Sequence, residues 1–261
     1  MEKRLTRLSG KSYNPQTQVS RKFVDLTVNR MLEMAEAGPN DIHYDLGSGD
    51  GRIVITAVRD FKVKKGVGVD IDPVRIKEAN TNAKAAGVTD RVAFHQTDLF
   101  KFDFKEASVL TLYLLPEVNL KLRPTILNDL KPGTRVVSHA FTMGDWRADN
   151  QDVVSGESLY FWVVPAKAAG GWEWKIGQDT FRIELAQQFQ MVTGTLQGPA
   201  GQTPLVNVAL KGADLKFDAR VLRGGTPVTM HFAGKIAGDT ATAAVDFGGA
   251  QRTQVTAARV K

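Results

Sequence analysis

The sequence predicts an α/β sheet domain followed by a smaller antiparallel β domain. Three observations carry this prediction. From residue 23 to about 177, short apolar runs alternate with helix-length segments. The turn after the first apolar run holds three glycines spaced two apart. Beyond Gly177 the helical spacing gives way to period-two alternation, punctuated by Gly-Asp and Gly-Gly.

Residues 1–22 carry Lys3, Arg4, Arg7, Lys11, Arg21 and Lys22 against Glu2 alone, and read as a solvated basic lead-in. They lack the apolar stretch of a secretory signal. Apolar residues from Phe23 to Ala37 crowd one broad side at helical spacing, and Gly38-Pro39 stops that helix. A first strand over 41–46 runs into Gly47, Gly49 and Gly51, and a helix follows from Arg52 to Arg59. Residues 66–70 form a second strand. Asp72-Pro73 opens a helix over Val74 to Ala86, which Gly87 ends. Third and fourth strands start at 91 and 108, a proline-led helix covers Glu117 to Leu130, and a fifth strand covers Arg135 to His139. Short, uniformly apolar strands between helices predict a parallel sheet covered on both faces. SLYFWVV (158–164) and GWEWKI (171–176) read as the closing hairpin pair of a seven-stranded sheet. The domain limits expected are therefore 1–22, 23–177 and 178–261, the last a barrel or sandwich.

Composition sets limits. With 261 residues the chain holds one large or two moderate domains, and its 43% apolar share is ordinary. No apolar run approaches the roughly 20 residues of a membrane span, so no membrane partner is expected. Zero cysteines exclude disulfides and thiolate metal sites. His43, His95, His139 and His231 show no ligand-like pairing, so no metal is expected. The net charge of +6 sits partly in the lead-in, but interleaved aromatics are few there, which disfavours a nucleic-acid partner. Tyr13 is the residue of interest in that stretch. The compartment is left open, cytoplasmic by default.

Three side-chain-free positions let the backbone turn sharply and pass close to a ligand, with the amides of the next helix pointing at it. A nucleotide-type ligand at the carboxyl end of the first strand is the expectation. The sixth position of G-x-G-x-x-G is Arg52, and no Gly-Lys-Ser/Thr follows, so neither a dinucleotide fingerprint nor a phosphate loop is present. A Tyr-x-x-x-Lys pair is missing too, which argues against a nicotinamide-dependent reductase.

The run D-L-G-S-G-D-G resembles the first motif of class I S-adenosylmethionine-dependent methyltransferases, and later motifs follow in register. The resemblance implies a Rossmann-like seven-stranded sheet and S-adenosylmethionine as cofactor. It places cofactor contacts at Asp45, Gly47, Gly49 and Gly51. Asp70, with Ile71 beside it, takes the place of the ribose-binding acid, a role suited to a carboxylate that accepts two hydrogen bonds. Asp98, with Leu99, takes the adenine position. Tyr113 to Pro116 face the methyl donor, and the helix before the first strand lids the pocket.

Methyl transfer needs positioning and water exclusion more than strong base catalysis. The catalytic candidates are Tyr113, Glu117 and His139, with Asn119 and Asp145 as further polar groups near the end of the sheet. For Glu117 a first-turn helix carboxylate interacting with the dipole is the simpler role.

DLGSGDGRIVI, D-L-F at 98–100, LYLLPEVNLKLRP, KPGTRVVSHAF and YFWVVPA look like the mitochondrial protein-lysine methyltransferases and their bacterial relatives. This implies an amine acceptor, including a protein lysine; a small-molecule N, O or S nucleophile, or a non-catalytic cofactor-binding module, are the alternatives. The sequence departs from that group in one respect: SRKFVDLTV lacks the proline-threonine-rich segment that the group carries ahead of its first helix, and only YNPQT at 13–17 approaches it. The C-terminal β domain is expected to serve stabilisation, substrate capture or self-association.

Overall fold

The computed structural model describes residues 15–249 and 251–260, with side chains described from Val24 onward. Tyr13 and most of the basic lead-in lie outside the described residues. The first helix, α1, spans Pro15–Met34 and so starts eight residues ahead of the expected Phe23. Its first two turns, PQTQVSRK, are polar and give no apolar periodicity to read.

The sheet contains β1 (Ile42–Leu46), β2 (Lys65–Asp70), β3 (Val92–Gln96), β4 (Val109–Leu112), β5 (Arg135–His139), β6 (Asn150–Val154) and β7 (Glu157–Val163). Its order is β3-β2-β1-β4-β5-β7-β6. The first five strands run parallel, and β7 lies antiparallel between β5 and β6. Helices α2 (Arg52–Arg59), α3 (Pro73–Ala86) and α4 (Pro116–Asp129) connect the parallel strands. The uniformly apolar strands are explained by the two cores they separate. Val109 and Val137 face α1 and α2 on one side, whereas Leu110 and Val136 face Leu122 and Ile126 of α4 on the other. Helix α3 begins as its sequence dictates: Asp72 accepts a hydrogen bond from Val74 N at 2.8 Å, and Pro73 fills the first helical position.

One strand assignment is corrected. The partner of β7 in the closing hairpin is β6, and GWEWKI forms β8 (Gly170–Ile176), which belongs to the second domain. The boundary between the domains therefore falls at residues 164–169, ahead of the expected 177.

The second domain is a closed antiparallel barrel of eight strands in the order β10-β11-β12-β13-β14-β15-β8-β9. Its later strands are β9 (Asp179–Gln188), β10 (Met191–Gly198), β11 (Gly201–Lys211), β12 (Asp214–Arg223), β13 (Thr226–Ala237), β14 (Thr240–Asp246) and β15 (Thr253–Val260). Between a barrel and a sandwich, closure decides, since β15 pairs with β8. Rings fill the interior: Phe217 stacks on Phe232 at 4.5 Å, and Trp174 packs against Phe232 at 5.2 Å and Phe181 at 5.8 Å. The β9–β10 turn docks the barrel on the sheet domain. Phe189 stacks on the fully buried Trp146, and the Arg123 guanidinium lies over the Phe189 ring. Gln187 donates to the carbonyls of Ala166 and Phe189 and accepts from the amides of Ala168 and Ala169. Among the described residues no helix is long and apolar enough to cross a membrane.

Candidate active site

At the carboxyl end of the parallel strands the chain leaves a cleft of about 610 Å³, a size suited to a nucleoside-type ligand. It is walled by the glycine turn, by α1 through Thr27 and Val28, by Tyr113 after β4, by His139 at the end of β5, and by the β6–β7 turn. All three glycines of the turn have left-handed φ angles, +81° at Gly47, +52° at Gly49 and +80° at Gly51. Their surroundings differ. A methyl group at Gly51 would sit 2.6 Å from the Phe94 ring and 2.9 Å from the Ala79 Cβ, and one at Gly47 would sit 2.5 Å from Leu114. A methyl at Gly49 would meet nothing within 4 Å among the described residues. Gly51 is thus bare for internal packing, while Gly49 presents naked backbone to the cleft.

Asp70 fixes that turn. Its Oδ2 accepts from Gly49 N at 2.8 Å and its Oδ1 from Asp72 N at 3.0 Å. Each oxygen retains a second lone pair for a ligand hydroxyl. Next to it Ile71 is 71% exposed among the described residues, a largely open apolar surface. Asp98 Oδ1 accepts from Phe100 N at 3.0 Å, closing a local turn, and Leu99 packs partly against the core.

Beneath the turn, β1 and β4 hold a buried polar chain. Thr111 donates to Asp45 Oδ1 at 2.7 Å, and His43 Nε2 lies 2.8 Å from Thr111 Oγ1. Because the hydroxyl proton is given to Asp45, His43 donates through Nε2, and its Nδ1 has no partner. Burial lowers the His43 pKa to about 3, and burial, opposed by the Thr111 bond, raises that of Asp45 to about 7.

At the far wall Tyr113 and His139 stack face to face, centroids 3.8 Å apart and planes 10° apart. Burial raises the Tyr113 pKa and lowers that of His139, so near neutral pH the pair is a phenol beside an uncharged imidazole. The structure brings Asp45, Gly47, Gly49, Tyr113 and His139 into one cleft. Glu117 is not in its wall and stands exposed in the first turn of α4. Asn119 is buried and donates to Ser138 Oγ, and Asp145 pairs with Arg123, so both serve the frame.

Sequence reasoning missed Ser155 and Glu157, which reach the cleft from the β6–β7 turn. That turn places Ser155 at φ +56° and Gly156 at +87°, with Val154 paired to Glu157. Two central residues with positive φ make the tight turn that antiparallel strands prefer. The Ser-Gly pair between V-V and L-Y was the available signal. Among the described residues, no group of three or more His, Cys, Asp or Glu side chains could hold a metal ion.

Comparison with known proteins agrees with this geometry. A family model described as the ANTKMT methyltransferase domain matches residues 45–150. The protein-lysine N-methyltransferase of Saccharolobus islandicus is 46% identical over 141 residues, which is 52% of this chain and 88% of that protein. The chain belongs to the class I S-adenosylmethionine-dependent methyltransferases. The mouse adenine nucleotide translocase lysine N-methyltransferase is 31% identical, and the match spans 46% of this chain and only 52% of that methyltransferase. A crystal structure described as an RNA methyltransferase from Salinibacter ruber, in complex with S-adenosylhomocysteine, is 53% identical with a TM-score of 0.53. It covers 92% of that methyltransferase and 54% of this one, so each match leaves about half of this chain uncovered. S-adenosylmethionine is accordingly the methyl donor. The bare Gly49 backbone and the largely open Ile71 face fit a nucleoside ligand of that kind.

Proposed function

We propose that the protein methylates the ε-amine of a protein lysine. The observation that carries this reading is the stacked Tyr113–His139 wall, two rings that are uncharged near neutral pH at the end of the cleft where an acceptor must enter. The names of the curated relatives support it, since those at 46% and 31% identity are lysine N-methyltransferases.

In this reading Gly47 and Gly49 cradle the cofactor, Asp70 accepts from its ribose hydroxyls, and Asp98 receives the adenine amino group. Ile71 and Leu99 pack on either side of the base. When bound, S-adenosylmethionine supplies a methyl group made electrophilic by its sulfonium charge. The chain's part is to exclude water and align the nitrogen for in-line attack. An ammonium has no lone pair, so the acceptor must give a proton to bulk water before the C–N bond forms. A low-polarity wall favours that neutral amine, because desolvation lowers an amine pKa. Tyr113 and His139 themselves contribute no charge to that wall.

The test is incubation with methyl-labelled donor and a cell lysate, followed by nuclease or protease treatment and acid hydrolysis. Methyllysines in protease-sensitive material are the expected result. Label confined to nuclease-sensitive material would instead support an RNA acceptor, the reading that the name of the Salinibacter relative favours.

A further inference from the structure

Charged side chains of the cleft wall are almost all engaged. Arg52 makes two bonds to Asp50, at 2.8 and 2.6 Å, and Arg75 pairs with Glu78 at 2.9 Å. Asp45 lies at the buried end, held by Thr111. Glu157 differs from these: it lines the cleft, is exposed, and makes no hydrogen bond or ion pair among the described residues. The tight Ser155-Gly156 turn fixes its backbone, because Glu157 is the first residue of β7 and pairs with Val154. Its negative charge is felt by both members of the aromatic pair, Tyr113 and His139. An unpaired carboxylate therefore borders an uncharged aromatic wall, an arrangement that attracts a cation on an alkyl stem and packs the stem against a ring.

We propose that Glu157 is the acceptor-recognition residue: its carboxylate captures the incoming lysine ammonium at the cleft rim and guides the side chain along Tyr113. This rests on the amine-acceptor reading above. Glu157 is a substrate-recognition group and takes no part in cofactor binding. Removing its charge then affects acceptor capture and leaves donor affinity alone. The same carboxylate repels phosphate, so it also selects against a nucleic-acid acceptor by like-charge repulsion.

The experiment compares wild type, Glu157→Gln and Glu157→Asp, with nuclease-treated lysate protein as acceptor at graded concentration and S-adenosylmethionine at saturation. Expected for Glu157→Gln is an apparent KM for acceptor raised by about fivefold to tenfold, the range between an exposed ion pair and a charged hydrogen bond. The kcat should stay within about twofold, Glu157→Asp should recover part of the loss, and donor affinity by calorimetry should be unchanged. The wild-type preference should shrink as salt rises, as expected of a screened charge. An unchanged acceptor KM with methyllysine as product would overturn this assignment while leaving the lysine reading intact. A weakened donor affinity would overturn it too, by making Glu157 part of the cofactor site. If the label sits in nuclease-sensitive material, the lysine reading itself fails and this assignment falls with it. In that event Glu157→Gln would speed labelling of RNA by removing a repelled charge.

Discussion

Two glycines in one turn should respond to the same substitution in opposite ways. Alanine at either Gly49 or Gly51 must adopt a left-handed φ, +52° or +80°, at a cost of roughly 1–2 kcal/mol. At Gly51 the added methyl also overlaps the Phe94 ring at 2.6 Å and Ala79 Cβ at 2.9 Å, and overpacking of that sort adds roughly 1–3 kcal/mol. Gly51→Ala should therefore destabilise the sheet domain by roughly 2–5 kcal/mol. A methyl added at Gly49 would meet no atom within 4 Å among the described residues, so Gly49→Ala should lose only the backbone term, while its methyl would occupy the space proposed for the cofactor. S-adenosylmethionine affinity should drop by at least about tenfold, or ~1.4 kcal/mol. Urea unfolding of the apoproteins and calorimetric titration of the folded ones separate the two effects. The reasoning is refuted if Gly49→Ala binds the cofactor as wild type does, or if it unfolds as readily as Gly51→Ala.

Three further outcomes are expected. Asp70→Ala removes the acceptor of the Gly49 and Asp72 amides and should weaken cofactor binding by more than ~1 kcal/mol, read by calorimetry. Asp45 and His43 should give opposite pH dependences of stability. The Asp45 pKa rises from 3.8 to about 7 on folding, so its contribution is present at low pH and is lost as pH rises through that range. The His43 pKa falls from 6.5 to about 3, so its contribution is present above 6.5 and is lost on acidification. The slopes, up to ~1.4 kcal/mol per pH unit each, oppose one another between about pH 4 and 6.5. Asp45→Asn should uncover the histidine slope as falling urea midpoints from pH 6.5 to 5; a variant with the wild-type profile would count against the buried pair. Finally, Tyr113→Phe keeps the stacked face and should stay within about threefold of wild-type methyl transfer, whereas Tyr113→Ala should fall by about tenfold, the scale of a lost aromatic pair. Equal losses in both would point to the hydroxyl.

The parallel half of the sheet and its glycine turn were legible because local chemistry and global position agree there. Asp72-Pro73 can only begin a helix, Gly87 ends it, and the strands are apolar on both faces because both faces are covered. Legibility failed where a strand's own pattern does not name its partner. GWEWKI alternates like any strand, and its partners β9 and β15, not its own pattern, assign it to the barrel. The true hairpin partner, NQDVV, is a polar edge strand with little apolar signal of its own. That omission hid Ser155 and Glu157, since their place in the cleft follows from the turn that β6 makes. Glu117 lies outside the cleft wall because sequence proximity to Tyr113 does not put a side chain in the same wall once α4 begins.

Barrel closure joins segments made at very different times. Strand β8 leaves the ribosome immediately after the sheet, yet its ladder partner Thr253–Val260 emerges only after the six strands between the two. Nascent chains must therefore carry an unsealed seam until β15 has been made. A chain lacking β15 would leave β14 and β8 as bare hydrogen-bonding edges, inviting intermolecular strand addition. Such a shortened protein should precipitate or swap segments between copies even though every residue of the methyltransferase cleft remains present.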